Sequence, residues 1–463
     1  MLLFGFTWRM AIFCSAAALL PIAAQAQQSL PMAPQPVTSG AQPAQPAAQG
    51  ITLYQAIAAA LRNDPIYAAA AAQAGSARAE AGIGRSALLP NAVSTDTYMY
   101  TEPSGYRNPD APIGEQAQPL FIANDSVHEY WAQLLVNQNV SLAGIATYRK
   151  DRALAQQASA DLESARRDLV ARVVAAYFQV FDTDAKARVA KDALDEAQSF
   201  LSLTQKLEAG GEVAHADVLK AQLENQQRQR EWSDAQLQAE KARLDLGILL
   251  FPDPRMPYTL ASEGQTAGTL PDESAVEAAA SHNNPDLRSA LAALHAAHDD
   301  VAAARAGYLP TLSFNYTWGI NSAQLAVNGY RGVQNLGYSA SAGINIPLWD
   351  WFATHDRVKQ SELREQAARA TLTTTQRQLI AQLQEYYQEA KVASDQVASL
   401  RASVDTATES LRLSRLRYTA GEAIVLEVVD AETSLEQAES ALADGILRSQ
   451  VARANLETLT GVF

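Results

Sequence analysis

The sequence predicts a mainly α-helical protein with a smaller β part: long antiparallel coiled-coil hairpins joined to four strands of bilayer length. Three observations predict it. Long stretches rich in alanine, glutamine, leucine and arginine lack glycine and proline, which favours long helices that approach closely on small side chains. Segments of period-two alternation precede the longest of these stretches. The whole arrangement is written twice in one chain.

Residues 1–26 read as a secretory signal peptide. Arg9 supplies a positive start, residues 10–22 are apolar, and Ala24-Gln25-Ala26 fits a cleavage site, so the mature chain would begin near Gln27. The apolar run is too short to cross a bilayer as a helix. The one cysteine is Cys14, and Phe13 before it is not the small residue a lipid-attachment signal needs. The mature chain would then hold no disulfide, no thiolate metal site and no cysteine nucleophile. Residues 27–50, with Pro31, Pro34, Pro36, Pro43 and Pro46, read as a flexible leader. No later segment offers about 20 consecutive apolar residues, so no transmembrane helix is expected.

The first repeat spans residues 51–250 and the second 272–463, with a proline-rich linker at 251–271. Asp64-Pro65 and Leu89-Pro90 recur as Asn284-Pro285 and Leu309-Pro310, each 220 residues on. Asn139-Val140-Ser141-Leu142 matches Asn345-Ile346-Pro347-Leu348. Each half is expected to run helix, strand, loop, strand, very long helix, glycine turn, helix.

In the second half, residues 275–308 read as one helix that Pro310 ends by excluding helical backbone at Leu309. Leu312, Phe314, Tyr316 and Trp318 then alternate with polar residues. In residues 338–348, Tyr338, Ala340, Ala342, Ile344, Ile346 and Leu348 share one face. The first half is noisier. Ala132, Leu134, Val136, Val140 and Leu142 share a face that Gln138 interrupts, and residues 92–101 alternate poorly, with Tyr98 and Tyr100 as outward candidates. Strands of about ten residues suit a tilted bilayer crossing. The same pattern also fits a soluble hairpin packed on a helix.

Residues 143–208 and 351–418 each read as a helix of roughly 100 Å at about 1.5 Å per residue. One seam runs Ala155, Ala158, Leu162, Ala165, Leu169, Val173, Ala176, Val180, with Arg172 on the strict heptad position. The other runs Val397, Leu400, Val404, Ala407, Leu411, Ser414, Tyr418. The helices end at Gly210-Gly211 and at Gly421, and shorter helices return over 213–250 and 424–459. Such helices keep sticky edges, and four strands cannot close a barrel, so the chain is expected to close its edges through further copies.

The tip sequences carry a family resemblance. Tyr418-Thr419-Ala420-Gly421, followed by Glu427-Val428-Val429-Asp430-Ala431, pairs with Gly211 followed by Asp217-Val218-Leu219-Lys220-Ala221-Gln222. With the duplicated layout, this resembles the TolC-like outer-membrane efflux family over residues 51–463. The resemblance implies a homotrimer: a twelve-stranded β-barrel in outer-membrane lipid above a helical periplasmic tunnel. It implies a passive duct for small molecules or proteins, without cofactor or catalysis. Its partners would be a periplasmic adaptor, docking at the Gly210, Gly211 and Gly421 turns, and a proton- or ATP-driven inner-membrane pump. By the same resemblance, Glu427 and Asp430 line the pore inside the tip as a selectivity and gating ring. Unit charges about 4 Å apart repel by ~1 kcal/mol in water and ~4 kcal/mol at an effective dielectric near 20. A plain solvated acidic face is the alternative. Asp217 and Tyr418 match positions that hydrogen-bond between coiled coils to hold the tip shut; otherwise they are a helix-start aspartate and a seam tyrosine. Ala423 stands where relatives carry an arginine, so that part of the latch is absent or moved.

The net charge of −14 argues against a nucleic-acid partner. His295 and His298, beside Asp299 and Asp300, lack the full two-histidine zinc pattern, and no phosphate-binding glycine loop or nucleophile elbow is present. A periplasmic coiled-coil adaptor is the rival reading, but it would have one hairpin rather than two. A soluble coiled coil leaves Phe314, Tyr316 and Trp318 unexplained.

Overall fold

The computed structural model describes residues 50–101, 128–261, 270–329 and 332–460. The expected signal peptide, nearly all of the leader and residues 262–269 of the linker lie outside the described residues. Gln49–Phe463 forms one compact unit. Its first half runs α1 (Leu53–Asn63), α2 (Pro65–Ser86), β1 (Asn91–Tyr100), β2 (His128–Val140), α3 (Leu142–Ala209) and α4 (His215–Leu250). Its second half runs α5 (Glu273–Asn283), α6 (Pro285–Ala306), β3 (Thr311–Ser322), β4 (Leu336–Asn345), α7 (Ala353–Thr419) and α8 (Val425–Thr460).

The single helix expected over 275–308 is two helices. Asn284 is extended (φ −66, ψ 121), because Pro285 disfavours helical backbone at the residue before it. Asn284 then caps the next helix, its Oδ1 accepting from Leu287 N at 2.8 Å. Asp64 repeats the device ahead of Pro65, accepting from Tyr67 N at 2.7 Å. Upstream, Thr52 and Gln55 form a reciprocal capping box at the start of α1.

The strands form one antiparallel sheet in the order β1-β2-β3-β4, so β1 and β4 are its edges. The register aligns the expected faces: Leu134 opposes Trp318, which opposes Tyr338, and Val140 opposes Leu312, which opposes Ile344. Gln138 interrupts this face for a reason. Its Nε2 donates to Leu88 O at 2.9 Å and ties β2 to the α2–β1 connection. On β1 the face carries Ser94 and Asp96 before Tyr98, so its apolar part belongs to β2, β3 and β4.

The helices form a wall of columns. α3 packs on α2 and α4 along one side and on α6 and α8 along the other, and α7 packs on α6 and α8. Two related cores pin it. Ala56 and Ala60 of α1 meet Leu169, Val173, Tyr177 and Val180 of α3 and Ala242, Leu246 and Leu250 of α4. Val276 and Ala280 of α5 meet Leu383, Ala390 and Ala393 of α7 and Ala452, Leu456 and Leu459 of α8. The seam expected on α3 holds at Leu169, Val173 and Val180. Nearer the sheet it shifts to Ala146, Ala153 and Ala160, while Ala155, Ala158, Leu162 and Ala165 are half-buried. A helix with neighbours on both sides has no single seam. Arg172, the irregular heptad position, lies 3.7 Å from the Asp64 carboxylate at the α1–α2 break.

Candidate functional site

Both hairpin tips close with the same backbone turn. After α3, Gly210 stays right-handed (φ −80) and Gly211 turns left-handed (φ 78). Gly211 N donates to Glu208 O at 2.8 Å, and Glu212 N to Leu207 O at 2.9 Å. After α7, Ala420 and Gly421 (φ 74) repeat this, with Gly421 N to Tyr418 O at 3.0 Å and Glu422 N to Arg417 O at 2.8 Å. These bonds satisfy the last helical carbonyls, and the left-handed residue is where glycine is required. Gly210 is the equivalent of Ala420, so the first turn uses one of its two glycines.

Tyr418 is buried where the two hairpins of the chain meet. It packs with Phe200, Ala221, Leu411, Val425 and Val428, its ring centroid 5.1 Å from that of Phe200. Among the described residues its hydroxyl finds no hydrogen-bond partner of ordinary geometry, although Thr204 and Asp217 lie close by. Burial raises the Tyr418 hydroxyl pKa, and the Asp217 charge adds to the rise. Within one chain, then, Asp217 and Tyr418 are neighbours across the hairpins without being bonded. The Asp217 carboxylate lies 4.0 Å from Lys220 Nζ.

Glu427 and Asp430 differ. Arg417 Nη1 lies 3.0 Å from Glu427 Oε2, and its Nη2 donates to Glu422 O at 3.3 Å. Asp430 is exposed and its carboxylate has no ion-pair partner among the described residues.

Above the tip lies a polar seam that sequence reasoning missed. Arg415 of α7 bridges Glu196 of α3 and Glu432 of α8, the latter at 2.8 Å. Glu432 is 6% exposed, and burial pushes its pKa up against the lowering pull of Arg415. One turn higher, Arg228 of α4 is 5% exposed. It pairs with Glu224 at 2.7 Å, Glu231 at 2.9 Å and Glu436 of α8, and donates to Thr433 Oγ1 at 2.9 Å. Higher still, Lys186 of α3 lies 3.1 Å from Asp182 and also pairs with Asp444 of α8. The available signal was the recurrence of Glu432, Glu436 and Glu439 along one helix, which looks the same as a solvated stripe.

His295 and His298 line a surface depression with Arg149, Arg152 and Asp299, and His298 Nδ1 lies 3.5 Å from Glu365. Two guanidinium groups make that depression unfavourable for a cation.

The family model described as "Outer membrane efflux protein" matches residues 56–250 and 278–462. This chain belongs to the outer membrane efflux protein family. It is 24% identical over 419 residues to the pyoverdine export outer membrane protein OpmQ of Pseudomonas aeruginosa, covering 87% of this chain and 82% of that one. It is likewise 24% identical to the alkaline protease secretion protein AprF of the same organism, covering 87% and 83%. The fold matches the CmeC outer membrane channel of Campylobacter jejuni with a TM-score of 0.77 at 18% identity, over 94% of this chain and 93% of that one. As an outer membrane efflux protein the chain is an exit duct of the outer membrane, in a family of channels. The adaptor alternative is set aside, since the outer membrane efflux protein model matches both halves of the chain.

Proposed function

We propose that three copies of this chain assemble into one passive duct, with twelve strands in the outer membrane and the helices as a tunnel through the periplasm. The free edges carry this reading. β1 and β4 each leave one side unpaired in the sheet, and the outer columns expose Leu219, Leu223, Leu237 and Ile248 on α4 and Leu363 and Ile380 on α7. An open sheet with an apolar face is costly in lipid unless its edges meet. Three four-stranded sheets give an even-numbered barrel of ordinary size. The turns at Gly211 and Gly421 would then point together toward a periplasmic adaptor, which recruits an energised inner-membrane pump. The relatives named for pyoverdine and for alkaline protease bracket the cargo as small molecules or proteins.

At the tip, Asp430 supplies the uncompensated charge of the ring, and Glu427 is held in check by Arg417. The closed state is kept by Arg415 and Arg228, which fasten α8 to the α3–α4 hairpin, with Tyr418 as the apolar plug between them.

Extraction in detergent followed by electrophoresis without boiling tests the assembly. A trimer band that collapses to monomer on heating is expected. A monodisperse monomer that stays folded in plain buffer would refute it.

A further inference from the structure

The depression that holds His295 and His298 lies between α3 and α6 and has a volume of about 370 Å³. Arg149 and Arg152 stand one turn apart on α3, and His295 and His298 one turn apart on α6. Residues three apart on a helix share a face, so two guanidinium groups confront two imidazoles across the groove. All four side chains can donate N–H bonds. Ala153, buried beside the two arginines, is small enough to leave the groove open.

Among the described residues neither arginine pairs with a carboxylate. The nearby carboxylates are committed elsewhere. Asp300 is held by Lys150 at 2.7 Å and Arg364 at 3.6 Å, and Glu362 by Arg305 at 2.7 Å. Glu365, which faces His298, is held by Arg369 at 2.7 Å. Asp299 lines the depression and offsets one of the two guanidinium charges, which leaves a positive groove on a chain of net charge −14. Guanidinium groups that no carboxylate occupies suit a phosphate group, which they bind through paired N–H bonds.

We propose that this groove is an anion site that takes a phosphate group, on the outer face of the duct just below the membrane. Its setting rests on the assembled-duct reading above; its chemistry does not. The face follows from the heptads. Arg149 precedes Val170 and Tyr177, and Arg152 precedes Val173 and Val180, by three and four heptads. A helix drifts only about 20° per heptad, so both arginines lie on the side of α3 that packs on α1. Three copies of α1, each about 10–12 Å across, would crowd the bore of a tube, so that side is the outside. α3 and α6 are inner columns of the strip, and copies meet at its margins, so no neighbouring copy covers the groove. Residues 27–49 contain no Asp or Glu, so the leader has no charge with which to fill it.

The depth follows from the helix ends. Arg149 and Arg152 come seven and ten residues after the start of α3, and His298 and His295 eight and eleven before the end of α6. At about 1.5 Å per residue all four lie roughly 10–17 Å from the sheet. Lipid headgroups extend about 5–8 Å beyond the hydrocarbon, and the long arginine stems bridge the difference.

Native mass spectrometry of the detergent-solubilised protein, with dioleoyl phosphatidylglycerol added, tests the site. The native chain is expected to retain at least fivefold more lipid than Arg149→Gln/Arg152→Gln. His295→Gln/His298→Gln should also lower retention, and it decides alone if the arginine variant does not fold. Arg188→Gln/Arg401→Gln removes two exposed charges elsewhere and should match the native chain. Equal retention by the native and groove variants, or an equal loss in that control, overturns the site. Inorganic phosphate is the second probe. If millimolar phosphate displaces the lipid, the groove takes the bare anion; if the lipid stays bound, the groove takes the headgroup as a whole. The trimer band is read on the same samples. A missing trimer sinks the duct reading, while the comparison of retained lipid still judges the groove.

Discussion

Arg228 sits among three glutamates contributed by two helices, with almost no access to water. Removing one partner of a buried ion cluster strands the remaining charges, which typically costs about 3–5 kcal/mol. Arg228→Ala should therefore lower the unfolding midpoint of the detergent-solubilised protein by far more than Arg412→Ala. The latter breaks a solvent-exposed pair with Glu409 and should leave the midpoint almost unchanged. Similar effects from the two substitutions would show that the seam is not buried in the assembled duct. At the tip, single-channel conductance distinguishes two carboxylates that sequence treats alike. Glu427→Ala should weaken cation preference at least as much as Asp430→Ala, because losing Glu427 also leaves the Arg417 charge uncompensated. A smaller loss from Glu427→Ala would mean that Arg417 does not face the pore. That i, i+3 pair was legible as one acidic face, but its division into one paired and one unpaired group was not. Arg417 reaches Glu427 only after the Gly421 turn has folded one helix back on the other.

Helix ends were the most legible elements. Asp64-Pro65 and Asn284-Pro285 stand out in the sequence as repeat landmarks, and each is also a helix break: the proline ends one helix at the residue before it, and that Asp or Asn side chain caps the next. The glycine turns separate in the same way. Gly211→Ala places a Cβ in left-handed backbone and should cost about 1–2 kcal/mol. Gly210→Ala occupies right-handed backbone with room for a methyl group, and should be neutral or stabilising by up to about 1 kcal/mol. Thermal unfolding of the two variants checks this; equal losses would mean the tip turn differs in the assembled protein. The strands were read correctly where they alternate. β1 was hard to read because Ser94 and Asp96 lie on the same face as Tyr98, a face that becomes apolar only on β2, β3 and β4.

At the scale of the molecule, the chain is a strip with two unlike margins. β1 and the α2–α4 column bound one side; β4 and α7 bound the other. Cysteines placed along β1, for example Thr95→Cys, should crosslink to cysteines scanned along β4, for example at Ser341, and only between chains. Covalent dimers and trimers on a reducing-sensitive gel are expected, and a purely intrachain product would contradict closure by copies. Periodicity, proline and glycine were enough to determine the long helices, the alternating strands and the glycine turns, because each is encoded within a few neighbouring residues. Which polar stripe is buried was decided by tertiary structure alone. Arg228 and Glu436 are 208 residues apart, and a charge is costly or harmless according to what long-range packing sets against it.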